Sequence, residues 1–487
     1  MITHNKNINM ANFNVITKIC SDFKTIHDSI HGFICLSYFA VKIIDTPQFQ
    51  RLRYIKQLGT CCYVFPNATH TRFEHSIGTY NVASDCLASI VLNTNPDYIS
   101  SYLAEILELK NYFESRYENK KYILDEYICE LIKIAALCHD IGHGPFSHVF
   151  DDHFIQNTDK KNVFGATHEE RSGILVEQII KNDYELSNII RDSEIEFIKN
   201  LINPKKEHKG FIYQLISNSL TGLDVDKFDY LMRDVYAIGF QAKIDISRLT
   251  KYIRIIDNNI AYQEQSIDDI YNLLHTRYRL HKEVYCHKVV ISAQFLITEM
   301  LFALDNILNI SNSIENMEDF IKITDEYILN SINIIDKFKH NMSECQQSNL
   351  EYAKSLYSKL VNRDLYGIIQ TITSKQKFEN LSDIFKNFVD FNDIVIYQGK
   401  IGFVSGNKPN PFDNIYVYKT KDSTKLLHIG KDNDKYLKLE AHKKNKDEIT
   451  LLSNKYQEHF VIFYYKDKYN IDRIQELNTI IKDHFVN

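Results

Sequence analysis

The sequence predicts a mainly α-helical protein with a smaller α+β lobe toward its C-terminal end. Three observations predict it. Apolar residues recur at helical spacing through most of the chain as far as about Ile307. Beyond about Phe378 the texture changes. Ile394-Val395-Ile396-Tyr397, Ile415-Tyr416-Val417-Tyr418 and Phe460-Val461-Ile462-Phe463-Tyr464-Tyr465 are short β-branched and aromatic runs. Within the helical region stands one stretch: an apolar helix over about 127–138 runs into Cys138-His139-Asp140-Ile141-Gly142-His143-Gly144-Pro145-Phe146-Ser147-His148. Glycine and proline end the helix there amid imidazoles and carboxylates.

Composition bounds the rest. A chain of 487 residues can bury a large core and is expected to form two lobes. Net charge is −6, so no global field draws it to nucleic acid or anionic lipid. Positive charge for a polyanionic ligand must then be local. Nine cysteines without a paired spacing form no disulfide framework, and a reducing compartment is expected, cytoplasm or nucleus. No apolar run is expected to span a bilayer, and no secretory core opens the chain.

In chain order, residues 1–22 lack periodicity and read as an arm. Residues 24–34 read as extended, with a turn at His31-Gly32. Residues 47–58 read as helix, capped by Asp45 or Thr46 with Pro47 in the first turn. A second helix covers 71–92 and carries Arg72 and His75 near its start. Thr167 is the candidate N-cap of a later helix, with Glu170 in the capping-box position. Residues 187–202 read as one amphipathic helix and 203–210 as a basic connector. Residues 214–236 contain the next key helix, and 267–307 read as one long helix.

The 224–234 helix is the second clue. Asp226, Tyr230 and Asp234 fall at i, i+4, i+8 and share a face, with Lys227 beside them. Carboxylate, ammonium and phenol together suit a metal and phosphate. A solvated face with ordinary ion pairs is the alternative.

His75, His139, Asp140 and Asp226 form the ordered set H…HD…D. With it, the segments IIDTPQFQRLRYIKQLG (43–59), RFEHSIG (72–78), CHDIGHGPFSH (138–148), THEE (167–170), DVDKFDYLMRD (224–234) and HTRYRLHKEVYCHK (275–288) resemble the HD-domain metal-dependent phosphohydrolases. More narrowly, they resemble the deoxynucleoside triphosphate triphosphohydrolases whose animal member joins a sterile alpha motif to an HD domain. It runs from about Lys24 to the C-terminal end, without the sterile alpha motif, and weakens after about 310. It implies an arm over 1–23, a helical HD-domain catalytic core over 24–310 and an α+β lobe over 311–487.

The resemblance also implies roles. His75, His139, Asp140 and Asp226 would hold a divalent ion, whether Fe, Mn, Zn or Mg. His168 would be the catalytic acid/base, oriented by Asp151. His143 and His148 would contact phosphate beside the scissile bond, with His148 in the catalytic set. Arg72, Lys227, Tyr230 and Arg277 would grip the triphosphate. Gln57, Leu58, Asp234 and Tyr285 would select the deoxyribose, although ordinary packing also accounts for Leu58 and Tyr285.

The implied reaction converts a dNTP to deoxynucleoside and inorganic triphosphate. Alternatives are a phosphatase or phosphodiesterase acting on another nucleotide, and a non-catalytic nucleic-acid-binding or scaffold relative. The resemblance extends to a GTP or dGTP effector in a dimer or tetramer. Lys24, Asp45, Gln50, Arg53, Arg254, Lys288 and Arg363 match effector contacts. His27, Gln263, Gln265, Asp269 and Gly367 depart from the pattern. Three of these departures remove cations, so a second, dNTP-filled effector site is expected to be weak.

Overall fold

Strands β1 (Asp22–Asp28) and β2 (Gly32–Ser37) open the described chain as an antiparallel hairpin, with Ile26 opposite Ile34. Its turn is held by Asp28, whose carboxylate accepts the N–H groups of Ile30 and His31 at 2.8 and 2.9 Å. The computed structural model describes residues 16–117, 122–218, 220–386, 388–403, 411–420, 427–428 and 457–486. The expected arm lies outside the described residues over 1–15, while 16–20 are helical.

Four helices present His75, His139, Asp140, His168 and Asp226. Helix α1 (Arg72–Asn93) starts at Thr71 with a capping box closed by Glu74. Helix α2 (Glu126–Cys138) is capped by Asp125, α3 (His168–Asn182) by Thr167 and α4 (Val225–Ile238) by Asp224. α1 packs on α2 and α4, which brings their functional ends together.

Several long helical expectations break into pieces. Residues 47–58 are not one helix. A turn of α-helix at Pro47–Gln50, capped by Thr46, passes into a 3-10 turn at Arg51–Tyr54. The chain then extends, because the Ile55 carbonyl accepts from Arg72 N–H at 3.0 Å and Gln57 N–H donates to the His70 carbonyl at 2.9 Å. Residues 187–202 divide into Tyr184–Ile189 and Asp192–Ile202, where Glu194 accepts the Arg191 N–H at 2.8 Å. The key helix expected within 214–236 is α4, preceded by a short helix at Phe211–Ile216.

Residues 267–307 divide into α5 (Ile267–Leu280), a π-helical turn at His281–Tyr285 and α6 (Lys288–Leu308), capped by His287. Apolar spacing runs through each break because both pieces face one core, so periodicity alone conceals it. The membrane expectation also needs a correction. By length and composition α6 is apolar enough to cross a membrane. Its Leu296, Ile297, Met300, Leu301 and Leu304 are buried in the protein's own core. Helix α7 (Glu344–Val361) packs along α6.

Two short strands, β3 (Arg254–Ile256) and β4 (Asn259–Gln263), interrupt the helical region. The expected strand at 415–418 is β7 (Tyr416–Tyr418) and pairs in parallel with β4, with β8 (Leu427–His428) on its other side. The smaller lobe is a sheet of β5 (Gly367–Ser374), β6 (Ile394–Gly402) and β9 (Gln457–Tyr465), with β9 central and antiparallel to both. Helix α8 (Ile471–Val486) packs on β5. Strand alternation separates two cores. Phe460, Ile462 and Tyr464 enter the main core, while Val461, Phe463 and Tyr465 meet Leu477 and Ile481 of α8.

Candidate metal centre and substrate cleft

α1 supplies His75, the end of α2 supplies His139 and Asp140, and the first turn of α4 supplies Asp226. Each histidine has its Nδ1 engaged behind it. His75 Nδ1 lies 2.8 Å from Asp229 Oδ2, and His139 Nδ1 lies 2.8 Å from the Ala136 carbonyl. This fixes the orientation of both rings, with Nε2 turned forward. His75 Nε2 lies 3.4 Å from Asp140 and 3.2 Å from Asp226. His139 Nε2 lies 3.4 Å from each of the same carboxylates.

Both Nε2 atoms are buried without a hydrogen bond. His75, His139 and Asp140 lie close enough together to hold a divalent cation, with Asp226 facing both imidazoles. The electrostatics agree. Burial alone would depress His75, but Asp226 and Asp229 lift it to about 10, so the pocket favours positive charge. Burial would raise the Asp140 carboxyl, but Arg72, then His139 and His143, hold it well below the usual range.

The loop after α2 is shaped by close contacts. A Cβ on Gly142 would overlap the His168 carbonyl, so only glycine lets this loop meet α3. Phe146 and Ser147 adopt left-handed φ of 60° and 58°. Asp325 secures that turn by accepting Phe146 N–H at 2.6 Å, and Ser147 Oγ donates to the Lys56 carbonyl at 2.7 Å. Arg72 Nε donates to Ser147 Oγ at 2.9 Å, and Arg72 also pairs with Asp140.

A cleft of about 490 Å³ opens beside these residues. All ten residues expected to contact substrate line it: Gln57, Leu58, Arg72, His143, His148, Lys227, Tyr230, Asp234, Arg277 and Tyr285. His168 lines it too, with Nδ1 3.0 Å from Asp151 Oδ2. His143 stacks on His168 at 3.9 Å, and burial followed by the charge of Arg72 holds His143 well below the ordinary imidazole range. His148 is exposed at the rim, 3.4 Å from Asp152. Lys227 reaches Asp224 at 2.8 Å, and Arg277 donates to the Gly402 carbonyl at 2.6 Å. At the far end Tyr285 donates to Asp234 Oδ2 at 2.5 Å, and His70 Nε2 lies 2.7 Å from Asp234 Oδ1.

Sequence reasoning missed His70, Asp229 and Arg171. Arg171 pairs with Asp151 and donates to the Gly142 and Gly165 carbonyls, each at 2.8 Å. Asp229 lies off the face shared by Asp226, Tyr230 and Asp234, and the carboxylate partners of His70 and Arg171 are distant in sequence.

The expected effector residues do not converge on one chain. Lys24, Asp45, Gln50 and Arg53 line a second cavity of about 250 Å³. There Arg53 lies over the Phe73 ring at 3.5 Å and donates to Gln50 at 2.8 Å. Arg254 on β3, Lys288 at the start of α6 and Arg363 after α7 do not line it. Arg254 lies over Tyr418, and Arg363 donates to the Tyr63 carbonyl. At Gly367 a Cβ would lie 2.9 Å from both Ile474 and the Lys468 backbone, which accounts for glycine there.

Comparison with known proteins agrees with this geometry. The HD domain family matches residues 102–234. An HD domain-containing protein of Acanthamoeba polyphaga mimivirus is 41% identical, over 80% of this chain and 84% of that protein. The deoxynucleoside triphosphate triphosphohydrolase SAMHD1 homolog of Dictyostelium discoideum is 32% identical, over 95% of this chain and 81% of its own. Deoxynucleoside triphosphate triphosphohydrolase SAMHD1 of Bos taurus is 30% identical, over 88% and 74%. With that coverage, and with the H…HD…D residues gathered around one point, the chain belongs to the HD-domain family of SAMHD1-type proteins.

Proposed function

We propose that this protein is a metal-dependent dNTP triphosphohydrolase, converting a dNTP to its deoxynucleoside and inorganic triphosphate. One observation carries the reading: the unpartnered Nε2 atoms of His75 and His139 face Asp140 and Asp226 at the wall of a cleft lined with cations. The names of the relatives supply the substrate class. A divalent ion held by these four residues would polarise a phosphoryl oxygen and lower the pKa of a bound water.

The chain's own groups do the rest. Arg72, Lys227, Tyr230 and Arg277 hold the triphosphate and offset its charge. His143 and His148 contact the phosphate nearest the scissile bond. His168 is the proton carrier at the leaving 5′ oxygen, with its ring orientation set by Asp151. Gln57 and Asp234 hydrogen-bond the 3′-hydroxyl. Leu58 and Tyr285 occupy the space a 2′-hydroxyl would need, and leaving that hydroxyl unpaired costs roughly 1–3 kcal/mol.

The cavity at Lys24, Asp45, Gln50 and Arg53 is the proposed guanine-nucleotide effector site. Arg254, Lys288 and Arg363 lie elsewhere on the chain, so we assign the effector's remaining contacts to a neighbouring subunit of a homo-oligomer. Chromatography of the products from each dNTP and its matching NTP tests the activity. Deoxynucleoside and triphosphate are expected from dNTPs, with NTPs turned over more slowly. Release of monophosphate, or faster turnover of NTPs, would overturn the reading.

A further inference from the structure

The carboxylate behind His75 is more heavily engaged than orientation of one imidazole requires. Asp229 is fully buried and carries four contacts from three residues. His75 Nδ1 lies 2.8 Å from Oδ2, Arg233 Nε and Nη2 donate at 2.9 Å each, and His31 Nε2 lies 2.6 Å from Oδ1. Arg233 is held in turn by Asp28, at 2.9 and 3.3 Å. Asp28 also fixes the turn that presents His31. The arrangement is built into α1 as well. A Cβ at Gly78 would overlap both the Asp229 carboxylate and the Arg233 guanidinium, so glycine one turn past His75 makes the room.

We propose that Asp229 is a positioning residue of the metal centre. It fixes the tautomer and direction of His75, and the hairpin turn, through His31 and the Asp28-held Arg233, fixes Asp229. The inference rests on the reading of His75 as a metal ligand. Asp229 itself never reaches the ion: both its oxygens are occupied on the far side of the imidazole. An outer carboxylate of this kind raises the donor strength of its histidine, and its loss commonly lowers metal affinity by about 10–100-fold.

The test measures Zn²⁺ affinity by competition with a chromophoric chelator, without nucleotide, in the full chain. His75→Ala, Asp229→Asn, Gly78→Ala and His31→Ala are compared, with circular dichroism to confirm the fold. Nitrogen-15 shifts of labelled histidine report the His75 tautomer. His75→Ala is expected to abolish tight binding. Asp229→Asn and Gly78→Ala are expected to weaken it by about 10–100-fold and to release the Nδ1–H tautomer of His75, although neither alters a ligand. Wild-type affinity and an unchanged tautomer in folded Asp229→Asn would overturn the inference while leaving the metal assignment standing. Wild-type affinity in His75→Ala would overturn both. Should Asp229→Asn fail to fold, His31→Ala decides. A loss of affinity supports the inference, and unchanged affinity overturns it.

Discussion

His168 Nδ1 lies 3.0 Å from one oxygen of Asp151, while Arg171 pairs with the other oxygen of the same carboxylate. Asp151 therefore sits between a fixed cation and the imidazole it orients. Holding Nδ1 leaves Nε2 as the atom that would exchange a proton in the proposed reaction. His168→Ala is expected to lower kcat by roughly 10²–10⁴ and to leave bound metal unchanged. Rates beside metal content check this. A variant that loses its metal would make His168 a ligand instead.

Asp151 also links the site to acid stability. Burial would raise its carboxyl, but Arg171, then His168, hold it far below the usual range. The unfolded chain protonates the same group near its ordinary value of about 3.9. As pH falls, the unfolded state therefore takes up the proton first. The stabilisation is complete above about pH 4 and is lost below it, toward the depressed folded value. Asp151→Asn strands Arg171, which is fully buried, and is expected to cost about 3–5 kcal/mol at neutral pH. Urea midpoints at pH 7 and pH 3 check both points: the gap between wild type and variant narrows at the lower pH. A gap independent of pH contradicts the assignment.

Metal binding and turnover are expected to share one residue set. Asp226 lies 3.2 Å from His75 Nε2 and 3.4 Å from His139 Nε2, so Asp226→Ala removes a group common to both. Elemental analysis after dialysis is expected to show metal lost, with activity lost in parallel. In wild type, chelation is expected to abolish the rate and re-addition of a divalent cation to restore it. A metal-free Asp226→Ala that still turns over at the wild-type rate contradicts the account.

The parts of the site that could be read from sequence are those that share a local pattern. His139 and Asp140 stand where an apolar helix stops, and Asp226, Tyr230 and Asp234 share a helical face. The supporting groups lack such a pattern. His31 and Asp229 are 198 positions apart, and His70 and Asp234 are 164 apart. Only the fold brings them together. The fold divides in the same way. Helix caps at Thr71, Asp125 and Thr167 follow local rules, whereas β3 is three residues long and β7 takes its parallel partner from distant β4. Such pairing is a long-range choice that no short window contains.

Assembly and activation form a separate prediction. The cavity at Lys24, Asp45, Gln50 and Arg53 is present on one chain, whereas Gln263, Gln265 and Gly367 lack the cations expected around a second nucleotide. An effector shifts assembly only by its differential affinity for the assembled state. GTP alone is therefore expected to raise both mass and initial rate, and a non-hydrolysable dNTP added to it to change little. Sedimentation with parallel rate measurements checks this. A requirement for the dNTP analogue in assembly would mean that other residues replace the missing cations.

In the proposed reaction water attacks the phosphorus bonded to the 5′ oxygen, in the cleft lined by His139, Asp140, Asp226 and His168. Hydrolysis of a dNTP in ¹⁸O-labelled water tests it most directly. Intact triphosphate carrying one labelled oxygen is expected, with equal amounts of unlabelled deoxynucleoside. Label in the deoxynucleoside, or release of pyrophosphate or monophosphate in place of triphosphate, would contradict it.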